Sequence, residues 1–115
     1  IATRLGAVGL ITDGGVRDLD EVHRLGFQYW AAGVVVSHGN AAILDVGLPV
    51  AVGGITIDPG ELLHGDANGV VVVPREIAAQ VADEARKVQE RERRIVEFVK
   101  SGEFTLEGLR KLYGL

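Results

Sequence analysis

The chain has 115 residues, a net charge of −4 and no cysteine. That length leaves room for one modest core, and the lack of thiols excludes disulfides, thiolate nucleophiles and cysteine-based zinc sites. With 47% apolar and 24% charged residues, it has the balance of a globular chain rather than a disordered one.

Taken in order, residues 1–5 followed by Gly6 read as the last turn of a helix closed by a glycine. Residues 7–12 are a short apolar run entering Asp13-Gly14-Gly15, the pattern of a buried strand leading into a loop. Residues 18–25 read as a short helix, with acids in the first turn, Arg24 in the last and Gly26 as its stop. Residues 27–36, apolar, aromatic and β-branched, read as a second strand. Strand, helix and strand make a βαβ unit, which favours parallel pairing.

The next segment is turn-dense. Residues 49–52, 55–57, 61–63 and 70–73 read as short strands. Gly53-Gly54 has the chemistry of a two-residue hairpin, and Asp58-Pro59-Gly60 and Asp66-Ala67-Asn68-Gly69 carry ordinary turn residues. Pro74 then suits the opening of a long helix over 75–100, stopped by Ser101-Gly102. Thr105 is a plausible cap for a last helix over 106–113. On the long helix Ile77, Val81, Ala85, Val88, Ile95 and Val99 fall three or four apart. The place this series skips is Glu92, an acid on an otherwise apolar face.

The residues richest in chemistry are Asp13-Gly14-Gly15-Val16-Arg17-Asp18, between a strand end and a helix start, where ligands gather in α/β folds. Gly14 and Gly15 let backbone N–H groups approach an anion. Arg17 can hold a carboxylate through two parallel hydrogen bonds. Asp18 is the hard oxygen ligand that Mg²⁺ prefers. Together they suit a small 2-oxo acid, although spacing alone is better matched by a turn with a surface ion pair.

The run from Gly9 to Glu21, Gly-Leu-Ile-Thr-Asp-Gly-Gly-Val-Arg-Asp-Leu-Asp-Glu, resembles the signature of RraA-like proteins. So do Pro49-Val50-Ala51-Val52-Gly53-Gly54-Ile55-Thr56-Ile57-Asp58-Pro59-Gly60 and the stretch from Gly65 to Pro74. The family includes 4-hydroxy-4-methyl-2-oxoglutarate aldolases that also decarboxylate oxaloacetate, and proteins named for inhibiting a ribonuclease by protein contact. The resemblance implies an α/β fold, a swivelling β/β/α domain with a long C-terminal helix, spanning 1–115. It implies Arg17 on the substrate carboxylate, with Gly14 and Gly15 as the accompanying substrate-binding candidates from the residue reading, and Asp18 on a divalent metal, partly through waters, Mg²⁺ or alternatively Mn²⁺, that polarises the 2-keto group. It also implies a homotrimer or a dimer of trimers, with a neighbour's glutamate near each site, for which Glu92 is the candidate. The family carries a glycine loop and an acid about twenty residues before its Arg-Asp pair. Here sixteen residues precede Arg17, so the domain is expected to lack its N-terminal part.

Several other signals lead elsewhere or nowhere. Lys87, Lys100 and Lys111 all fall on the C-terminal helices, which disfavours a Schiff-base aldolase. His23, His38 and His64 lack metal-ligand spacing. Residues 1–74 carry three basic and eight acidic side chains, whereas residues 75–115 carry nine and eight. The cluster Arg91, Arg93 and Arg94 alternates with Glu90 and Glu92, so nucleic acid is not an expected partner. No apolar run approaches the ~20 residues of a membrane span, no secretory leader opens the chain, and a cytoplasmic location is the expectation.

Overall fold

A turn of 3-10 helix, Ala2–Leu5, opens the chain and ends at Gly6 in the left-handed region, as its glycine stop requires. The computed structural model describes residues 1–40 and 42–115. They divide into two compact units, Ile1–Pro74 and Arg75–Leu115.

In the first unit, β1 (Gly9–Ile11) pairs in parallel with β3 (Gln28–Trp30), Ile11 opposite Trp30. The crossover between them contains α1 (Leu19–Arg24), and the expected βαβ unit is present. The apolar stretch 27–36 is not one strand. It divides into β3 and β4 (Gly33–Val34), and β4 pairs in parallel with β2 (Gly15–Val16). The cause lies across the ladder, where β1 ends at a loop. The two edges nonetheless stay in hydrogen-bond step through it. Thr12 N–H donates to the Trp30 carbonyl at 2.9 Å, Ala32 N–H to Gly14 at 3.1 Å, and Val35 N–H to Val16 at 2.9 Å.

Two antiparallel hairpins follow. β5 (Val50–Val52) and β6 (Ile55–Ile57) meet with Val52 opposite Ile55. The connecting Gly53 and Gly54 both have positive φ, 58° and 84°, the type I′ geometry that glycine adopts at least cost. β7 (Leu62–Asp66) and β8 (Gly69–Val73) close at Asp66 opposite Gly69. β7 extends past the expected 61–63 because its pairing runs on to this two-residue turn. Among the described residues, Val16 and Val52 are the buried apolar side chains.

Trp30 joins the hairpin to the parallel pair. Its indole N–H donates to the Asp66 carbonyl at 3.0 Å. Its ring lies so close to two backbones that a Cβ on Gly9 would stand 2.9 Å from it, and one on Gly65 only 2.5 Å. Those glycines are required for space.

The β7–β8 turn is fastened by Asp66. Its carboxylate accepts from the Asn68 backbone N–H at 2.8 Å and from the Asn68 side-chain amide at 3.2 Å. These donors, the backbone one first, hold the carboxyl below its ordinary value of 3.8, because they favour the ionised form. A depressed folded pKa adds stability above the unfolded value, and that stability is lost as pH falls through the folded value. Amide protection of Asn68 in hydrogen exchange is therefore expected to persist at neutral pH and to fall below the usual carboxylate range. Asn68→Ala, which removes the side-chain donor and keeps the backbone ones, is expected to move the Asp66 titration part of the way back in an NMR pH series.

The second unit consists of α2 (Ala78–Lys100) and α3 (Leu106–Leu112). Residues 75–77 form a turn rather than helix, and no side chain caps the start of α2. The first turn has no Ser, Thr, Asp or Asn to satisfy its N–H groups. Thr105 does cap α3, its hydroxyl accepting from Gly108 N–H at 3.0 Å. Phe98 and Phe104 meet at 5.8 Å between ring centroids. The charged face of α2 carries exposed pairs such as Lys87–Glu84 and Arg93–Glu97, each worth about 0–1 kcal/mol. No described helix is long and apolar enough to cross a membrane.

Candidate active site

The loop from Thr12 to Asp18 leaves the carboxyl end of β1, passes through β2 and delivers two charged residues to the start of α1. Val16 anchors it, being 8% exposed, and the next two side chains turn outward. Arg17 and Asp18 are 45% and 54% exposed and form an ion pair. The Arg17 Nε–H donates to both Asp18 carboxylate oxygens, at 3.2 and 3.1 Å. This uses one of the five guanidinium N–H groups, and the other four, on the two Nη atoms, lie outside the pair.

Asp18 is unusual in two ways. It is the one non-glycine residue with positive φ among the described residues, at φ 58° and ψ 42°. It also stands at the N-cap of α1 without capping it by side chain. An aspartate there ordinarily accepts from the first-turn N–H groups and stabilises the helix by about 1 kcal/mol. Here the carboxylate faces Arg17, and an exposed ion pair returns about 0–1 kcal/mol. The left-handed backbone adds a further cost, reduced for aspartate but present. A residue that forgoes its cap and accepts backbone strain points to a role other than holding the fold together.

The two glycines have different local tasks. Gly14 N–H donates to the Thr12 hydroxyl at 3.0 Å, closing a small turn inside the loop. Gly15 lies under Val35, where an added Cβ would stand 2.5 Å from Val35 Cγ1. A shallow cavity of about 320 Å³ opens beside the loop, with Ile11, Thr12, Asp13, Trp30 and Ala32 in its wall. Arg17 and Asp18 are not part of its lining.

Of the residues expected from the sequence, Arg17, Asp18, Gly14 and Gly15 thus share one loop. Glu92 belongs to the second unit, exposed on α2, and the described residues give it no ion pair. Thr12 and Val35 were not foreseen. The Thr-x-Gly spacing of a hydroxyl-capped turn was a signal for the first. Nothing local marks the second.

The donor set tests which metal this loop suits. Among the described residues, no group of three or more histidine, aspartate or glutamate side chains converges as a metal cage. Mg²⁺ and similar hard ions are commonly held by one or two carboxylates, with water and substrate completing the shell. The exposed Asp18 carboxylate fits that sparser arrangement.

Comparison with known proteins agrees with the loop's sequence. The RraA-like family model (Aldolase/RraA) matches residues 1–72. An uncharacterised protein of Methanocaldococcus jannaschii is 31% identical over 99 residues, covering 85% of this chain and 48% of that protein. A Halalkalibacterium halodurans protein named "Putative 4-hydroxy-4-methyl-2-oxoglutarate aldolase" is 33% identical over 90 residues, 77% of this chain and 43% of its own. A crystal structure of an uncharacterised protein from Pseudomonas syringae pv. tomato DC3000 superposes with a TM-score of 0.67 at 37% identity, covering 95% of this chain and 55% of that one. The chain spans about half the length of these relatives. On its fold, its loop and these matches, the chain belongs to the RraA-like family.

Proposed function

We propose that this chain supplies the pyruvate-binding loop of a divalent-cation-dependent carbon–carbon lyase. Its substrates are 4-hydroxy-2-oxo acids of the 4-hydroxy-4-methyl-2-oxoglutarate type, with oxaloacetate decarboxylation as a companion activity. The observation that carries the reading is the Arg17–Asp18 contact, built at a strained, uncapped helix start. The aldolase names borne by relatives support it.

In this proposal the Nη edge of Arg17 takes the substrate carboxylate through two parallel hydrogen bonds. Gly14 and Gly15 shape the loop beneath it. Asp18 accepts from the Arg17 Nε–H, leaving the Nη edge to the substrate, and offers its outer lone pairs to Mg²⁺ or Mn²⁺. The bound ion supplies Lewis acidity towards the 2-keto oxygen. Glu92, carried on the long helix of a neighbouring copy in a trimer, completes the proposed site.

The test is pyruvate release from oxaloacetate and from 4-hydroxy-4-methyl-2-oxoglutarate, followed with a coupled dehydrogenase. Turnover is expected with Mg²⁺, to stop on chelation, and to return when the ion is restored. Arg17→Lys, which loses the two-pronged grip, is expected to raise KM roughly tenfold. Absence of ion-dependent pyruvate release would overturn the reading. One observation favours a second function, protein contact with a ribonuclease: residues 1–74 carry eight acidic against three basic side chains, a balance that steers a basic partner. Ribonuclease inhibition without pyruvate release would select it.

A further inference from the structure

We infer that Thr12 and Val35 are positioning residues that set the direction in which Arg17 and Asp18 face. The inference rests on the lyase reading for its catalytic consequence but not for its geometry. Arg17 and Asp18 are exposed, and their mutual contact is too weak to hold an orientation alone. What fixes them must act through the backbone of the preceding residues.

Two clamps do so. At the near end, the Thr12 hydroxyl accepts from Gly14 N–H at 3.0 Å, while Thr12 N–H and the Gly14 carbonyl bond to Trp30 and Ala32 on the facing strand stretch. The loop is thereby pinned on both sides of Asp13. At the far end, Val35 closes over Gly15 and its N–H donates to the Val16 carbonyl at 2.9 Å. Val16 is then buried, and the two side chains that follow it, Arg17 and Asp18, are exposed. The chain leaves this second clamp directly into Asp18, whose left-handed backbone turns the carboxylate back onto Arg17 Nε. Neither Thr12 nor Val35 need touch substrate. Moving the loop by about 1 Å is enough to cost a reaction on the order of a hundredfold.

The experiment uses the full chain with Mg²⁺ and oxaloacetate, and two readouts. One is kcat/KM; the other is the ¹⁵N NMR signal of the Arg17 Nε–H, displaced from the free-arginine position by its bond to Asp18. Thr12→Val keeps the shape of the side chain and removes the acceptor. Gly15→Ala drives a methyl group into Val35. Both are expected to shift the Nε signal towards free arginine and to lower kcat/KM roughly a hundredfold. Thr12→Ser, which restores the hydroxyl, and Gly15→Ala with Val35→Ala, which restores the space, are expected to recover most of both. If Thr12→Val and Gly15→Ala leave signal and turnover unchanged, or if the paired variant stays as impaired as Gly15→Ala, the positioning inference is wrong. If the signal moves and recovers as expected while the unsubstituted chain releases no pyruvate, the inference stands and the lyase reading falls.

Discussion

Asp18→Asn is expected to lower the proposed Mg²⁺-dependent pyruvate release by about a thousandfold, the several kcal/mol that loss of Lewis-acid assistance implies. Its fold should be unchanged within about 0.5 kcal/mol, as for other exposed substitutions. The choice of asparagine follows from the backbone. At φ 58° an alanine meets the steric penalty of the left-handed region, about 1 kcal/mol or more, so Asp18→Ala would mix a stability effect with a chemical one. Asparagine tolerates that region as aspartate does. Asp18→Gly makes the complementary test: relief of strain should offset the added freedom of the unfolded chain, leaving a protein of similar stability without activity. Full turnover by the asparagine variant would remove Asp18 from the reaction, whatever its pairing with Arg17.

The second large effect concerns the junction at Trp30. Gly65→Ala is expected to destabilise the chain by about 1–3 kcal/mol in urea unfolding, the usual cost of forcing atoms into filled space. The new methyl would meet Cε2 and Cζ2 of the indole at 2.5 Å, and the ring cannot retreat without lengthening its bond to the Asp66 carbonyl. In a Trp30→Ala background the same Gly65→Ala change should cost almost nothing, because the obstacle is gone. The coupling between the two substitutions, rather than either alone, measures the contact. Equal costs in both backgrounds would show that the alanine acts through β7 pairing instead. A loss of this size matters in a small domain, where total stability is typically about 5–15 kcal/mol.

Residues whose structure is decided by their neighbours in the chain were readable in advance. Gly53-Gly54 could hardly be anything but a tight hairpin turn, and both glycines have positive φ. Thr105 caps its helix as its side chain suggests. The βαβ unit follows from two apolar runs and a short amphipathic helix. Where a distant partner decides, reading failed. The stretch 27–36 looks uniformly strand-like, yet the loop opposite it divides it in two. Asp18 reads as the first residue of the helix 18–25, yet α1 begins at Leu19 and Asp18 stands before it with positive φ, a turn of the backbone that aspartate permits but does not announce. The dependence of Gly15 on Val35 spans twenty positions, and no periodicity links them. The pair Arg17 and Asp18 was legible as a resemblance, but what holds it in place was not.

The burial of Val16 immediately before Arg17 has a consequence for heating. Most catalytic loops can melt early, while the scaffold beneath them persists. Here the interior anchor and the charged pair are adjacent in the chain, so the loop cannot fray without withdrawing a valine from the interior. Thermal loss of the proposed activity and the calorimetric transition should therefore coincide, with no inactive but folded form between them.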